Sequence, residues 1–155
     1  MEKFIATSFE SLQAGEGLEI GPSEWMEITQ GQINLFADAT HDHQWIHVDV
    51  EKAKKESPHG KTIAHGYLTV SLIPTLLFQF FVVENSTMIV NYGVESLRFG
   101  QPVLVDSRVR LKAKIESVKN LRGTVKVTLN VAIEIENEKK PALTGEVVLL
   151  YFFQS

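Results

Sequence analysis

All five histidines of the chain lie in one stretch between His41 and His65. Histidine is the side chain whose charge changes near neutral pH, and it is therefore frequent at sites of proton transfer and metal binding. The chain contains no cysteine, which excludes thiolate metal ligands, cysteine nucleophiles and disulfide bonds. Any chemistry is therefore expected to centre on this histidine-rich segment.

Asp42 and His47 have the residue types that proton transfer needs. They are five residues apart, and on one regular helix their side chains would point about 140° apart. In a loop that leads into a helix the two groups can converge on one water molecule, taking a proton from one atom and giving one to another. Two structural alternatives stay open: Asp42 as the cap of a turn, and His47 as a hydrogen-bonded histidine at an interface.

His65 and Gly66 stand where a long apolar segment begins. The first N–H groups of a helix have no partner within the helix and carry the positive end of its dipole. A glycine there lets a ligand approach the backbone closely, and an N–H aimed at a carbonyl oxygen forms an oxyanion hole. The structural alternative is that Gly66 only gives the chain a flexible entry into the helix.

A metal site is not expected. His41, Asp42, His43 and His47 are all possible zinc ligands. Their spacing, however, lacks the helical H-E-x-x-H pattern. The sequence also has no G-x-G-x-x-G, no Walker A and no G-x-S-x-G motif, so nucleotide-binding folds and α/β-hydrolases lack their signatures.

Three helices are predicted around these residues. Thr29 and Gln32 form a capping-box pattern before an amphipathic helix over residues 30–39. Asp49 is placed to cap a polar helix over residues 50–56. Residues 66–83 contain no charge, and the spacing predicts a buried central helix over 66–81, bent at Pro74. A membrane span is disfavoured because this segment contains several polar residues and has no basic cluster at either end.

From Thr87 onward the pattern changes to alternation of apolar and polar residues, and an N-terminal strand or two is expected within residues 1–22. Turns are indicated at 119–123 and 137–141, and a last apolar strand covers 144–153. The pattern indicates an antiparallel meander of strands, each buried on one face. The simplest way to bury both sheet and helix is to wrap the sheet around the helix. The prediction is therefore an α+β chain with the hot-dog fold, as one domain over residues 1–155.

Composition limits the partners and the location. The chain has 155 residues, is 44% hydrophobic and carries a net charge of -4, so nucleic acid is not expected as a partner. The N-terminus has no apolar stretch typical of a signal peptide, and a cytoplasmic protein is expected. Open sheet edges predict a homodimer, with a higher oligomer possible.

The segment Asp42–Asp49 has the sequence D-H-Q-W-I-H-V-D, and T-I-A-H-G-Y-L follows at residues 62–68. These motifs resemble those of the MaoC-like dehydratases, the (R)-specific enoyl-CoA hydratases, and in particular their nodulation protein N-like branch. The resemblance extends over residues 20–150 through Asn91-Tyr92-Gly93, Arg98-Phe99, Pro102-Val103 and Ser107-Arg108-Val109.

The resemblance implies a hot-dog homodimer that reversibly hydrates a trans-2-enoyl-CoA to a (3R)-3-hydroxyacyl-CoA, without a metal or other cofactor. Asp42 and His47 take the positions of the family's catalytic pair, and Gly66 takes that of its oxyanion N–H. The chain departs from the family pattern at His41, where a glycine is usual. Four further residues are predicted to bind the substrate: Gln44, Trp45, His65 and Arg98.

Two other functions fit the same fold. A hot-dog acyl-CoA thioesterase usually has its carboxylate on the central helix, and this chain has no Asp or Glu between Gly66 and Val83. A non-catalytic acyl-thioester-binding protein would not need Asp42 and His47 to converge. The CoA phosphates have Lys61, Arg98 and Arg108 as candidate partners, each of which is equally well explained as a solvated surface residue.

Overall fold

The computed structural model describes residues 2–153, so the predicted domain over 1–155 extends outside the described residues at both ends. The elements follow in the order β1 (Phe4–Ala6), α1 (Phe9–Gln13), β2 (Glu19–Ile20), β3 (Met26–Glu27), α2 (Gln30–Thr40), α3 (Trp45–Val48), α4 (Val50–Glu56), α5 (Gly66–Ser71), α6 (Ile73–Leu77), β4 (Phe81–Val83), β5 (Ser86–Phe99), β6 (Arg108–Asn120), β7 (Thr124–Ile135) and β8 (Leu143–Phe153).

The main sheet is antiparallel and curves around α5 and α6. Its strand order is β2-β6-β7-β8-β5, and β3 also pairs with β6. Alternate residues of β6, β7 and β8, such as Leu111, Leu129 and Leu149, are buried against the helices. Breaks of register in β5 and β6 add to the bend, as β-bulges do. The predicted α+β hot-dog arrangement is confirmed.

The strand order differs from the simple meander that the sequence predicts. β6, β7 and β8 are joined by hairpins, but β5 pairs with β8 and not with β6. The reason lies in residues 100–107, which form no hairpin. Instead, the Ala64 N–H donates to the Val103 carbonyl at 2.8 Å, and Ile63 bridges to Leu104. These contacts tie the connection to the segment before α5 and lead the chain to the far edge of the sheet.

The N-terminal segment contains a helix that the sequence analysis did not predict. α1 begins after Ser8, whose hydroxyl accepts from the Ser11 N–H while Ser11 caps in return. Before it, β1 pairs with β4 as a separate two-stranded parallel sheet. This small pair lies outside the antiparallel sheet and packs its Phe4 against Phe81, with ring centroids 5.5 Å apart.

The prediction of one fully buried helix over residues 66–81 was wrong in two respects. The interruption at Leu72 agrees with the predicted bend, because Pro74 has no N–H to donate to the turn before it, but the helix ends at Leu77 and does not reach Phe81. One side of it also faces outward, where Tyr67 is 72% exposed. The buried side is apolar and includes Ile73 and Leu76. None of the helices in residues 2–153 is long and apolar enough to cross a membrane.

Candidate active site

The segment that carries Asp42 begins where α2 ends. His41 follows the last helical residue in the left-handed conformation, with φ 62°. Glycine adopts this conformation without the Cβ penalty that other residues incur. His41 therefore stands at a position where glycine, the residue usual in the resembled motif, would carry no such penalty. The left-handed residue ends α2 and is followed directly by Asp42.

His47 lies in the short helix α3, and its ring is fixed by the main chain of Ile63. The Nδ1 atom is 2.7 Å from the Ile63 carbonyl oxygen, which can only accept, so the proton of the neutral ring is on Nδ1. Nε2 then carries the lone pair and is ready to accept a proton. The Ile63 N–H in turn donates to the Ile46 carbonyl at 3.0 Å, so two hydrogen bonds connect α3 to the segment around Ile63.

Gln30, at the start of α2, braces the backbone of His47 from the other side. Its side-chain amide donates to the His47 carbonyl at 2.7 Å and to the Asn34 side chain at 2.9 Å. Its amide oxygen accepts from the hydroxyl of buried Thr62 at 2.5 Å. α2 and the segment before Ile63 are thereby linked to the residue that carries the imidazole.

The ring of His65 completes the cluster. It is 2% exposed and stacks on the ring of His47, with 3.8 Å between the ring centroids and 24° between the planes. Its Nε2 lies 2.9 Å from the main-chain oxygen of Asp42 and 4.0 Å from the side-chain Oδ2. Phe36 of α2 lies against His65, with the centroids 5.0 Å apart.

Asp42, His47 and His65 are thus brought together, with one ligand-type atom of each lying within 4.8 Å of the others. That spacing alone would suit a cation. Because the two imidazole rings have centroids 3.8 Å apart and planes inclined by only 24°, however, in-plane lone pairs of the two rings do not meet within the roughly 2 Å of a metal–nitrogen bond. The geometry brings the Asp42 carboxylate and the His47 imidazole close enough to share a proton through one water, and it is unfavourable for coordination of one ion by both rings.

The environment of His47 favours its neutral form. Burial lowers the pKa of His47 below its ordinary value of 6.5, and the neighbouring His65 acts in the same direction. The hydrogen bond to Ile63 and the Asp42 carboxylate act against this shift without cancelling it. His47 is therefore neutral at physiological pH, with a free lone pair on Nε2, which is the state that a general base requires.

Gly66, the first residue of α5, presents its N–H without a protein acceptor among residues 2–153. A Cβ built on Gly66 would lie 2.8 Å from Cε1 of Phe99, so the Phe99 ring occupies the space beside the glycine. Gly66, Tyr67 and Phe99 line a mostly apolar cavity of about 300 Å³. Neither Asp42 nor His47 is among the residues that line it.

Gln44 and Trp45 lie on the same segment as the pair. Gln44 is exposed, and its main chain makes two hydrogen bonds. Its N–H donates to the Asp42 carboxylate at 3.4 Å, and its carbonyl accepts from the His47 N–H at 2.9 Å. Trp45 is half-buried, with the Lys52 ammonium 4.9 Å from its ring centroid. Both residues belong to the 42–47 segment, and part of the surface of each side chain is open to solvent.

Arg98 is not brought to this site. It lies on the opposite face of the sheet from Phe99 and lines a separate groove of about 870 Å³. Two other candidates for the CoA phosphates have carboxylate partners: Lys61 lies 3.6 Å from Asp106, and Arg108 lies 3.0 Å from Glu136. His65 is buried behind the pair and offers almost no surface for a substrate contact.

Sequence reasoning did not find the residues that fix the orientation of the pair. Ile63 acts through its main-chain carbonyl, which no side-chain pattern can mark. Gln30 and Thr62 are ordinary polar residues in the sequence and become significant only because the fold brings them to His47. Phe36 belongs to the apolar side of α2, where a core role is the natural interpretation.

Residues 12–137 match the family model described as "MaoC like domain". The 3-hydroxyacyl-thioester dehydratase Z of Mycobacterium tuberculosis is 45% identical over 148 residues, covering 93% of this chain and 97% of that protein. The nodulation protein N of Rhizobium meliloti is 45% identical over 139 residues, covering 88% of this chain and 86% of the relative.

Solved structures share the fold. A monoamine oxidase regulatory protein from Archaeoglobus superposes with a TM-score of 0.79 at 24% identity, covering 100% of both chains. An (R)-hydratase from Pseudomonas aeruginosa superposes with a TM-score of 0.72 at 19% identity, covering 96% of this chain and 88% of the other. At such identities these matches bear on the fold alone.

Proposed function

The chain belongs to the MaoC-like dehydratase family and is a hydro-lyase, and from this premise we propose that it reversibly hydrates a trans-2-enoyl-CoA to a (3R)-3-hydroxyacyl-CoA. The substrate class is supported by the 45% identical relative that is named for a 3-hydroxyacyl thioester. The observation that carries the proposal is the state of His47: Ile63 holds the Nδ1 proton, which leaves the lone pair on Nε2, and a ring nitrogen of His47 lies within 4.8 Å of an Asp42 carboxylate oxygen.

Hydration needs a base that takes a proton from water and an acid that gives a proton to carbon C2. The thioester carbonyl polarises the double bond, so the water oxygen adds to C3 while negative charge develops on the thioester oxygen. His47 Nε2 accepts a proton from the water, and the Asp42/His47 pair delivers a proton to C2. One O–H bond and the π bond between C2 and C3 are broken, and the C3–O and C2–H bonds are formed. Dehydration follows the same steps in reverse.

The thioester oxygen requires a donor as the enolate charge develops. The Gly66 N–H suits this role because it has no acceptor within residues 2–153 and lies at the N-terminal end of α5, where the short helix dipole is positive. The cavity beside Gly66 and Phe99 is lined mostly by apolar surface, which suits part of an acyl chain.

The test is hydration of crotonyl-CoA, followed by the loss of absorbance of the conjugated thioester. The proposal expects loss of absorbance without release of free CoA thiol, and a product oxidised only by a (3R)-specific dehydrogenase. Release of the thiol would instead indicate a thioesterase. Binding of crotonyl-CoA with neither change would indicate a non-catalytic binder. Either of these last two results would overturn the proposal.

A homodimer is part of the proposal. β5 has 14 residues, and within residues 2–153 it pairs only with β8, which leaves one edge open. Long open edges invite pairing with another chain. Several large apolar residues are exposed on or beside this strand: Met88, Ile89, Tyr92, Val94, Phe99 and Tyr67. A second copy paired along β5 would cover them and would lie next to the cavity at Gly66.

The oligomeric state is measurable by light scattering at micromolar concentration. The proposal expects the mass of two chains, and Val94→Lys, which places a charge on this surface, is expected to shift the mass toward one chain. The control is Thr128→Lys on β7, because it adds the same charge away from β5. A core substitution such as Val125→Thr would disturb packing and is not suitable. A monomeric wild type would contradict the proposal.

A further inference from the structure

His65 is a buried imidazole for which the proposed reaction has no step. Its side chain is 2% exposed, yet only one of its two ring nitrogens has a hydrogen-bond partner. Nδ1 is enclosed and has no partner within residues 2–153. An unpartnered buried polar atom is costly, so a plain apolar side chain would fill this place at lower cost if packing were the only demand.

The partner of Nε2 fixes the tautomer of His65. That atom lies 2.9 Å from the Asp42 main-chain oxygen, which can only accept, so the ring proton is on Nε2. With the proton on Nδ1 instead, the N–H would be buried without an acceptor and the Nε2 lone pair would face an oxygen. His65 is thereby a donor aimed at the backbone of the residue that carries the carboxylate.

The same ring also limits the movement of His47. The two imidazoles are stacked with 3.8 Å between centroids, and the tilted ring of Phe36 also lies against His65 with the centroids 5.0 Å apart. Ile63 holds one edge of His47, but a single hydrogen bond leaves rotation of the ring about that bond possible. The stack removes this freedom, because the ring of His47 cannot tilt without meeting His65.

We propose that His65 is a positioning residue, which sets the Asp42 carboxylate and the His47 ring against each other through one hydrogen bond and one ring stack. This role rests on the proposed function for its effect on rate. The burial of His65 leaves little surface for substrate, and the stacked planes do not suit a shared metal ion. Asp42 needs such a support because its side chain is 53% exposed and lies on a loop.

Two substitutions separate the donor from the ring. His65→Phe keeps a flat ring for the stack and removes the N–H, while His65→Gln places an amide N–H close to the position of Nε2 and removes the ring. Exposed His59→Gln is the matched control from the same segment. With crotonyl-CoA, His65→Phe is expected to lower kcat by about tenfold to a hundredfold with little change in KM, because small misplacement of reacting groups costs rates of this size.

His65→Gln is expected to recover part of that loss, and His59→Gln is expected to match the wild type. A second readout is independent of activity: ¹⁵N relaxation of the amides of residues 41–44. His65→Phe is expected to make these amides more mobile, and His65→Gln is expected to restore their order. Both effects follow from the presence or absence of the donor to Asp42.

Several results would overturn the inference: unchanged kcat in His65→Phe, a rise in KM alone, or no recovery in His65→Gln. If the wild type does not hydrate the thioester while the amides respond as described, the proposed function fails and the positioning role stands. If His65→Phe does not fold, the inference is tested on the wild type instead, by recording the ¹⁵N spectrum of its imidazole nitrogens. A His65 proton found on Nδ1 would contradict the inference.

Discussion

His47 donates its Nδ1 proton to the main-chain carbonyl of Ile63 across 2.7 Å. This contact decides which nitrogen can accept a proton, because the neutral ring then has its lone pair on Nε2. The position of the carbonyl is fixed in turn, since Ile63 donates to Ile46 and bridges to Leu104. The reactive state of the side chain is thus set by backbone geometry on three separate segments.

The lowered pKa of His47 predicts how activity depends on pH. The free base is needed, so the acidic limb of the kcat/KM profile is expected at an apparent pKa below the ordinary value of 6.5. Crotonyl-CoA hydration measured across the acidic range gives this limb. A limb above 6.5 would show that a different group, or a His47 stabilised as a cation, controls the reaction.

The same shift predicts a loss of stability in acid. The folded pKa lies below the unfolded one, so between the two values the unfolded state binds more protons. The contribution of His47 to the free energy of unfolding is present above pH 6.5 and is lost as the pH falls through the folded pKa. Urea unfolding gives this free energy at about pH 7.5 and at about pH 5, and its decrease between the two should be smaller in His47→Gln than in the wild type. Equal decreases in both proteins would contradict this.

The left-handed backbone of His41 predicts that glycine stabilises the chain there. His41 has φ 62° and an exposed side chain, so His41→Gly removes a conformational cost and few contacts. The free energy of unfolding is expected to rise by about 0.5 to 1 kcal/mol, despite the greater freedom of glycine in the unfolded chain. His41→Val, β-branched at a positive φ, is expected to lower it. Urea titration measures both, and a loss of stability in His41→Gly would contradict the account.

The hydroxyl of Tyr151 predicts a second stabilising change. Tyr151 is fully buried, burial raises the pKa of its hydroxyl, and that hydroxyl has no hydrogen-bond partner within residues 2–153. Tyr151→Phe removes the unsatisfied group while keeping the ring that packs on Phe81, and about 1 kcal/mol of added stability is expected. A lower Tm in Tyr151→Phe would reveal a partner for the hydroxyl.

The N–H of Gly66 can be removed without breaking α5. Gly66 is the first helical residue, where proline is well tolerated, and His65 before it has φ -59° and ψ 136°, which suits a following proline. Gly66→Pro deletes the donor, whereas Gly66→Ala keeps it, and both place a Cβ against Phe99. A kcat about 10² to 10³ lower in the proline variant than in the alanine variant is expected. Equal rates would exclude this N–H from catalysis.

The sequence predicted those parts of the fold that depend on local pattern. The helix over residues 50–56 and the strands that alternate apolar and polar residues match the structure, because capping and periodicity act over a few neighbours. The pairing of β5 with β8 was missed because it depends on the path of residues 100–107. The outward side of α5 was missed because lack of charge does not distinguish a buried core from a surface that another chain could cover.

For the candidate site, residue types and spacing brought out Asp42, His47 and Gly66, while their roles stay predictions. What pattern could not supply is the set of supports: a carbonyl at Ile63, an amide at Gln30 and the stack of His65. Each depends on residues far apart in the sequence. Arg98 shows the converse, since its place in a motif did not reveal which face of the sheet it occupies.

The central claim is that Asp42 and His47 act as one proton-transfer unit, and a double-mutant cycle on kcat for crotonyl-CoA hydration tests it most directly. Asp42→Asn and His47→Gln are each expected to lower kcat by about 10² to 10⁴, with circular dichroism and Tm confirming that the variants fold. The double variant is expected to lose little more than the worse single variant, because neither group works without the other. Near-full activity in either single variant, or losses that multiply in the double variant, would contradict the account.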